Sequence, residues 1–509
     1  MTRLRSRTCS APSLSLSSFL LLVTVVISVS ACGGDDARPV PQDPVPKTSP
    51  SGHTFDAQPS KGGTLCSATA DTCSPDPTKG RERLLHPGEP RVFAHWHTPV
   101  QPVNTLDAYR AEIRKAKAMG IDGFTYNVTP GLTNWTHTYK ARIDMLYQAA
   151  SEEGDFYLFP SVDMCCSNDR TWIDTVMLYR YGDPVRLRVD GHPVGQTWLG
   201  QDTAPSGTGG DPVTGWKRVL DAYAARGKPI YFIPYFAPGE DFTKQAVDDV
   251  YDRFPYANGL YNFAAFADGD DQLAGARHNT YYDLAAEASG RDAMVGAAPV
   301  FNRHSGTEQF GNRIIGDFEG FHTWLEEWKR IVREQPRFVE VVTWNDYLEG
   351  TYIGGTYPGR LPQNSVGNDL DHAAYRRLAK YFIAWYKTGT QPRITNDTIA
   401  IAHRLHSKDA VAPEDPLPKQ QGWENVDDRL YGAVILEKPA QVHLVSGNTS
   451  RTFDVAAGVH EVSMPFTEGT QQIVLLRNGE ARLVAKSSRP IDNDITRYNF
   501  NYNTAWAED

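Results

Sequence analysis

From residue 91 onward the chain alternates short apolar runs with longer amphipathic stretches. The apolar runs span residues 92–96, 123–128, 156–163, 194–199, 230–236, 259–266, 294–301 and 338–345. Runs of this length, rich in aromatic and β-branched residues, read as strands buried on both faces. The stretches between them have helical period. In the first, Leu106, Tyr109, Ile113, Ala116 and Met119 share one helical face, and Gly120 follows as a stop. Buried strands alternating with helices predict an α/β fold, a parallel (β/α)8 barrel of the TIM type. The fourth strand is preceded by LRVDGHPVG, residues 187–195, which reads as a hairpin turn feeding into it. A helix around residues 373–387 completes the barrel. After Gln391 the period becomes that of alternating strands broken by Gly, Asn and Pro, with runs at 434–436, 442–444, 453–455 and 473–476. This texture predicts a C-terminal all-β sandwich. The expected division is a barrel over residues 89–390 and a β-sandwich over 391–509.

With 509 residues, the chain is long enough for a large barrel and a smaller module. Its 61 acidic and 51 basic residues leave a formal charge of −10, which argues against a nucleic-acid partner. The 11 Trp and 24 Tyr suit stacking on sugar rings, although any single one suits the core equally.

The N-terminus reads as an export signal. Arg3, Arg5 and Arg7 precede an apolar run over residues 14–30, too short for a membrane span. The run ends in Val29-Ser30-Ala31-Cys32-Gly33, which resembles a bacterial lipoprotein box. This predicts removal of residues 1–31, acylation of Cys32 and a membrane partnership through that lipid, at the outer membrane or cell surface. Residues 32–88, Pro-, Asp- and Ser-rich at their start, read as a flexible tether. In the oxidising compartment that export implies, Cys66 and Cys73 are expected to close a small loop as a disulfide. For the neighbours Cys165 and Cys166 a vicinal disulfide, free thiols and separate partners all remain open.

Barrel enzymes carry their reacting groups at the C-terminal ends of the strands. Those ends hold His95, Trp96, Tyr126, Asn127, Asp163, Tyr235, Trp344, Asn345 and, just beyond, Tyr352. Carboxylates, amides and aromatics without a basic cluster suit a neutral sugar. The sharpest segment is VVTWNDYLEGTYIGG, residues 341–355, with Asp346 and Glu349 three positions apart. On a helical turn both point the same way into the barrel mouth. Glycoside hydrolysis needs two such carboxyl groups, one protonated and one ionised. A second pair, Asp317 and Glu319, reads instead as acids before a helix N-terminus. His95-x-His97 invites comparison with metal-dependent hydrolases, but residues 231–236 and 258–266 hold no further His ligands, so no metal and no organic cofactor are expected.

VTWNDYLEGTYIGG resembles the motif of glycoside hydrolase family 71, the endo-α-1,3-glucanases or mutanases, which runs close to TWNDYGESHYIGP. VFAHW, GIDGFTYN and FYLFPSVDM, together with ITNDTIAIAHRLHSKD and the terminal YNFN, extend the likeness from residue 91 to the end. Residues 345–351, NDYLEGT, also fit the N-E-W-x-E-G-T frame of the family 99 endo-α-mannosidases, with Asp in place of the first Glu. The resemblance implies that Asp346 and Glu349 are the catalytic pair, Glu349 as general acid and Asp346 as base or as the group assisting attack. Asp163, His95, Trp96, Tyr126, Asn127, Tyr235, Trp344, Asn345 and Tyr352 are the candidate substrate contacts. Leu348, where the glucanases have Gly, and Gly350-Thr351, where they have Ser-His, are departures at positions expected to touch substrate. The implied activity is endo-cleavage of α-linked polysaccharide, α-1,3-glucan first. A family-99-like α-mannosidase and a non-catalytic glycan-binding lipoprotein are the alternatives.

Overall fold

A computed structural model describes residues 90–98, 104–129, 135–239, 242–263, 266, 271, 273–303, 314–316, 319–357 and 369–509. The expectations for the export signal, Cys32, the tether, the Cys66–Cys73 disulfide and Asp317 lie outside the described residues.

The first half of the chain alternates strand and helix as expected. Strands β1 (Arg91–His97), β2 (Gly123–Val128) and β3 (Tyr157–Asp163) alternate with helices α1 (Leu106–Met119), α2 (Ala141–Glu153) and α3 (Arg170–Leu178). The hairpin β4 (Arg188–Val189) and β5 (His192–Trp198) follows, then α4 (Pro212–Ala225), β6 (Tyr231–Phe232), α5 (Lys244–Arg253), β7 (Gly259–Tyr261), α6 (Ala274–Ser289) and β8 (Asp292–Ala297). A short antiparallel pair, β9 (Phe301–Arg303) and β10 (Ile314–Gly316), precedes α7 (His322–Glu334), β11 (Phe338–Val341) and α8 (Ala373–Thr388). Local chemistry sets the helix ends. The Thr105 hydroxyl accepts the Ala108 N–H at 3.3 Å, and Gly120, at φ +100°, closes α1 in the left-handed conformation only glycine adopts freely.

The long strands form one curled parallel sheet in the order β7-β8-β11-β1-β2-β3-β5-β6, with β4 antiparallel on β5. At its two extremes, the Asn258 and Tyr261 amides donate to the Phe232 and Pro234 carbonyls at 2.8 and 2.9 Å. Alternation divides the side chains. Val92, Ala94, Phe124, Tyr126 and Leu158 join Ile113, Ile143 and Val219 in a layer beneath the helices. Phe93, Phe159, Tyr231, Ile233, Met294 and Phe338 form a separate core on the inner face.

Four runs (230–236, 259–266, 294–301 and 338–345) give shorter strands than the sequence suggests, and in two of them the cause is proline, which cannot donate to a ladder. Pro234 ends β6 after two residues. Pro299 splits the run 294–301, so that β8 stops at Ala297 and Phe301 begins the β9–β10 pair.

The C-terminal strands are β12 (Thr398–His403), β13 (Arg429–Leu436), β14 (Ala440–Ser446), β15 (Thr449–Val455), β16 (Gly458–Pro465), β17 (Gln471–Arg477), β18 (Glu480–Lys486) and β19 (Asn503–Glu508). They make two antiparallel sheets, β16-β13-β12-β19 and β15-β14-β17-β18. Ile399, Ile401 and Val434 of one share an apolar core with Val442, Leu444 and Ile473 of the other.

The β sheets dock on α7. His322 Nδ1 lies 3.3 Å from Glu461, and Lys329 Nζ lies 2.7 Å from Glu326 and 3.7 Å from Glu461. Burial alone would lower the His322 pKa, but Glu461 outweighs it and raises the value to about 9 from 6.5. A group raised on folding stabilises fully below its unfolded value and ceases to do so above its folded one. Wild type should therefore exceed His322→Gln in thermal stability at pH 6.5, and the margin should vanish by about pH 9 in unfolding curves taken across that range.

Candidate active site

The inner face is set by β1, where Phe93, His95 and His97 alternate with outward Val92, Ala94 and Trp96. Parallel pairing places Phe93 opposite Glu340 of β11 and His95 opposite Thr125 of β2. Glu340 is fully buried. Its Oε1 lies 2.6 Å from His95 Nδ1, and its Oε2 accepts the Thr125 hydroxyl at 3.0 Å and the Gln196 amide at 3.1 Å.

The segment after β11 is tied to the end of β1. The Trp344 amide donates to the His95 carbonyl at 2.8 Å. Asn345 grips His97 twice, its Oδ1 accepting the backbone N–H at 2.7 Å and its Nδ2 donating to the carbonyl at 3.0 Å. The next residues make a tight turn. Asp346 donates its amide to Thr343 Oγ1 at 2.8 Å, and Asp346 Oδ1 accepts the amides of Leu348 and Glu349, each at 3.0 Å. This capping arrangement sets the two carboxyl groups on one side of the turn. Asp346 Oδ2 faces His97 Nε2 at 3.5 Å. Behind the turn, Asn302 donates its amide to the Glu349 carbonyl at 2.8 Å. Gly350 has φ +67°, and a Cβ there would come within 2.8 Å of Asn501 Nδ2.

Burial, the neighbouring Asp346 and the more distant Asp163 raise the Glu349 pKa to about 8, against the pull of Arg303. Glu349 therefore holds its proton at neutral pH. Burial raises Asp163 to about 6, opposed by the Cys165 amide (2.9 Å), the Thr129 hydroxyl (3.2 Å) and His95. Burial lowers His97, despite Asp346 and with help from His95, so its ring stays neutral. A carboxyl whose pKa is raised, beside another that caps the same turn, can give a proton at one point while its neighbour takes one at the other.

The structure gathers most of the expected residues. Asp346, Glu349, Asn345, His95 and Asp163 converge, and Asn127 joins Asp163 through the Thr129 hydroxyl. Tyr235 lines the inner face with Trp198 and Phe263, at ring separations of 6.5 and 5.9 Å.

Four expectations of sugar contact are corrected. Trp96 and Tyr126 follow the outward alternation of their strands. The Trp96 ring packs 4.8 Å from Phe124, and the Tyr126 hydroxyl lies 3.4 Å from that of Tyr147 beneath the helices. Trp344 is buried against Phe124 and donates its indole N–H to Glu112 at 2.8 Å. Tyr352 stacks 4.3 Å from His372 and donates to the Leu370 carbonyl at 2.8 Å. All four side chains are buried against these protein partners.

Sequence reasoning passed over Glu340, Thr125, Gln196, Trp198 and Arg303. An acid in the middle of the apolar run FVEV was the available signal for Glu340, because a lone charge is not buried without partners. Cys165 and Cys166, which the sequence left open, form a disulfide with each other immediately after Asp163. Among the described residues, His322, Glu326 and Glu461 bring ligand atoms within 4.8 Å of one another, but Lys329 already supplies positive charge there.

Asn345→Ala would leave both backbone groups of His97 without that partner. At about 1–3 kcal/mol for each of these two part-buried groups, denaturant unfolding should show a loss of about 2–6 kcal/mol.

The model of glycosyl hydrolase family 71 matches residues 89–508. Among curated relatives, the glucan endo-1,3-alpha-glucosidase of Schizosaccharomyces pombe is 30% identical over 420 residues, covering 81% of this chain and 93% of that one. The mutanase Pc12g07500 of Penicillium rubens is 25% identical over 420 residues, covering 81% and 87%. Among solved structures, the GH99 endo-alpha-mannosidase from Bacteroides thetaiotaomicron superposes with a TM-score of 0.44 at 11% identity, covering 59% of this chain and 98% of that one. The family match takes in nearly all of the described residues and makes the protein a glycoside hydrolase: the chain belongs to glycosyl hydrolase family 71.

Proposed function

We propose that this enzyme is an exported endo-α-1,3-glucanase in which Glu349 protonates the leaving glycosidic oxygen and Asp346 acts as base. The observation that carries this reading is the raised pKa of Glu349, about 8, on the turn where Asp346 accepts the Glu349 amide. A carboxyl held protonated to higher pH beside a second carboxyl can serve as acid while its neighbour serves as base. The substrate follows from the printed activities of the relatives, endo-1,3-alpha-glucosidase and mutanase. Inner-face aromatics such as Trp198, Tyr235 and Phe263 suit the apolar faces of a neutral sugar.

The same proposal includes the architecture and address read from the sequence. The catalytic unit spans residues 89–390 as a closed eight-stranded barrel, which the Asn258–Phe232 and Tyr261–Pro234 hydrogen bonds between its end strands favour. Residues 391–509 form a β-sandwich, favoured by the apolar core common to the two sheets. Residues 1–31 are removed, Cys32 carries lipid, and residues 32–88 tether the enzyme to the membrane. The lipoprotein-like Ser30-Ala31-Cys32 after an apolar run supports this address.

Oligosaccharide release should be measured on α-1,3-glucan, mixed α-glucans and α-mannan. Wild type should act on α-1,3-glucan, and Asp346→Asn and Glu349→Gln should each lose about 10²–10⁴-fold in rate. Undiminished activity in either variant sinks the pair, and glycan binding without turnover in wild type favours a binding protein. The acid form of Glu349 is depleted as pH rises through about 8, so kcat should fall on that alkaline limb. Labelled palmitate should enter the wild-type chain and be absent from Cys32→Ser.

A further inference from the structure

Glu340 takes no part in the proposed acid–base pair, yet it is buried at the centre of the inner face and all its contacts come from distant strands. Its Oε2 receives two donors, the Thr125 hydroxyl at 3.0 Å and the Gln196 amide at 3.1 Å. Its Oε1 lies 2.6 Å from His95 Nδ1, and the buried Tyr261 hydroxyl also faces the carboxyl. As a carboxylate, Glu340 can only accept, which assigns Nδ1–H to His95 in that form. The other ring nitrogen, Nε2, is buried and has no hydrogen-bond partner among the described residues. His95 itself is 1% exposed, with the Phe263 ring edge-on at 5.2 Å and the His97 ring at 5.8 Å. His97 reaches Asp346, and the His95 ring lies beside that of His97 on the same inner face. A buried polar atom left unmatched in a closed site is where a ligand group is expected.

We propose that Glu340 is a positioning residue that locks His95 as the Nδ1–H tautomer, so that Nε2 accepts a hydrogen bond from a ring hydroxyl of the sugar seated over Asp346 and Glu349. The proposal rests on the glycosidase reading of that pair and extends it to recognition. In a neutral imidazole whose Nδ1 holds the proton, Nε2 is an acceptor only. A sugar hydroxyl has the matching donor and keeps its oxygen free to accept elsewhere. The dyad therefore requires a donor hydroxyl at that position of the sugar, and Glu340 enforces the requirement without touching substrate.

The tautomer can be read in the full-length chain with isotope-labelled histidine and long-range proton–nitrogen correlation, His95 being assigned by its loss in His95→Asn. Wild type should show Nδ1–H; an Nε2–H or doubly protonated ring at neutral pH overturns the proposal, and this reading requires no variant at position 340. In Glu340→Gln the amide oxygen would keep the Thr125 and Gln196 donors and turn its NH2 toward Nδ1. The His95 signal should then switch to Nε2–H, with kcat on α-1,3-glucan down by about tenfold or more. Glu340→Gln combined with His95→Asn should lose no more than His95→Asn alone, since Glu340 acts only through the ring. Losses that multiply, or an unswitched tautomer in folded Glu340→Gln, overturn the role of Glu340. Wild type that is inactive on every polymer would overturn the glucanase reading instead, a failure the substrate-free spectrum keeps separate.

Discussion

The pairing of β11 with β1 is the constraint from which the site follows. Its parallel register, Phe93 opposite Glu340 and Ala94 opposite Val341, brings the last strand of the sheet beside the first. The segment after β11 then has one place to go, over the end of β1. There the Trp344 amide and the Asn345 side chain take up the backbone groups of His95 and His97. These bonds are made between residues far apart in sequence, so they fix the approach of the loop far better than local turn propensity would. Asp346 and Glu349 inherit their positions from that clamp.

Concentrating Glu340, His95, Asp163, Asp346 and Glu349 on one inner face works against stability, since each carboxyl taken from water must be paired or protonated. The fold answers with different devices at different positions. Glu340 is surrounded by donors, Asp346 caps a turn, and Asp163 draws on the Cys165 amide and the Thr129 hydroxyl. Burial and the neighbouring Asp346 hold the Glu349 pKa up to about 8. Perturbed acidity of this kind gathers where chemistry is done, and here it falls on Glu349, within the segment that resembles the family motif.

The C-terminal β strands do more than cap the sheet. Asn302, which holds the Glu349 carbonyl, is itself bonded by Gln420 from the β region, and Asn501 packs against Gly350. The second layer behind the proposed acid is thus drawn partly from the C-terminal unit. The family match, which runs through residue 508, takes in both units together.

The sequence by itself determined the local elements and their order. Strand and helix periods located β1, α1, β2, β3 and α8 almost to the residue, and the DG turn before β5 was legible because its residues have few other uses. The spacing of Asp346 and Glu349, with its flanking motif, was enough to single them out. Only the tertiary structure decided which face of each strand became the inside. Alternation allots residues to two faces without naming either, and so Trp96, Tyr126 and Trp344 read as site residues although they pack under the helices. Glu340 was invisible for the same reason: its partners His95, Thr125 and Gln196 come from three other strands, which the chain brings together only when the sheet curls. The Cys165–Cys166 pairing likewise had to wait for the backbone. Periodicity is a local property of the chain. The pairing of buried polar groups is a property of the closed core, and here the choice of which residues meet was made by strand register.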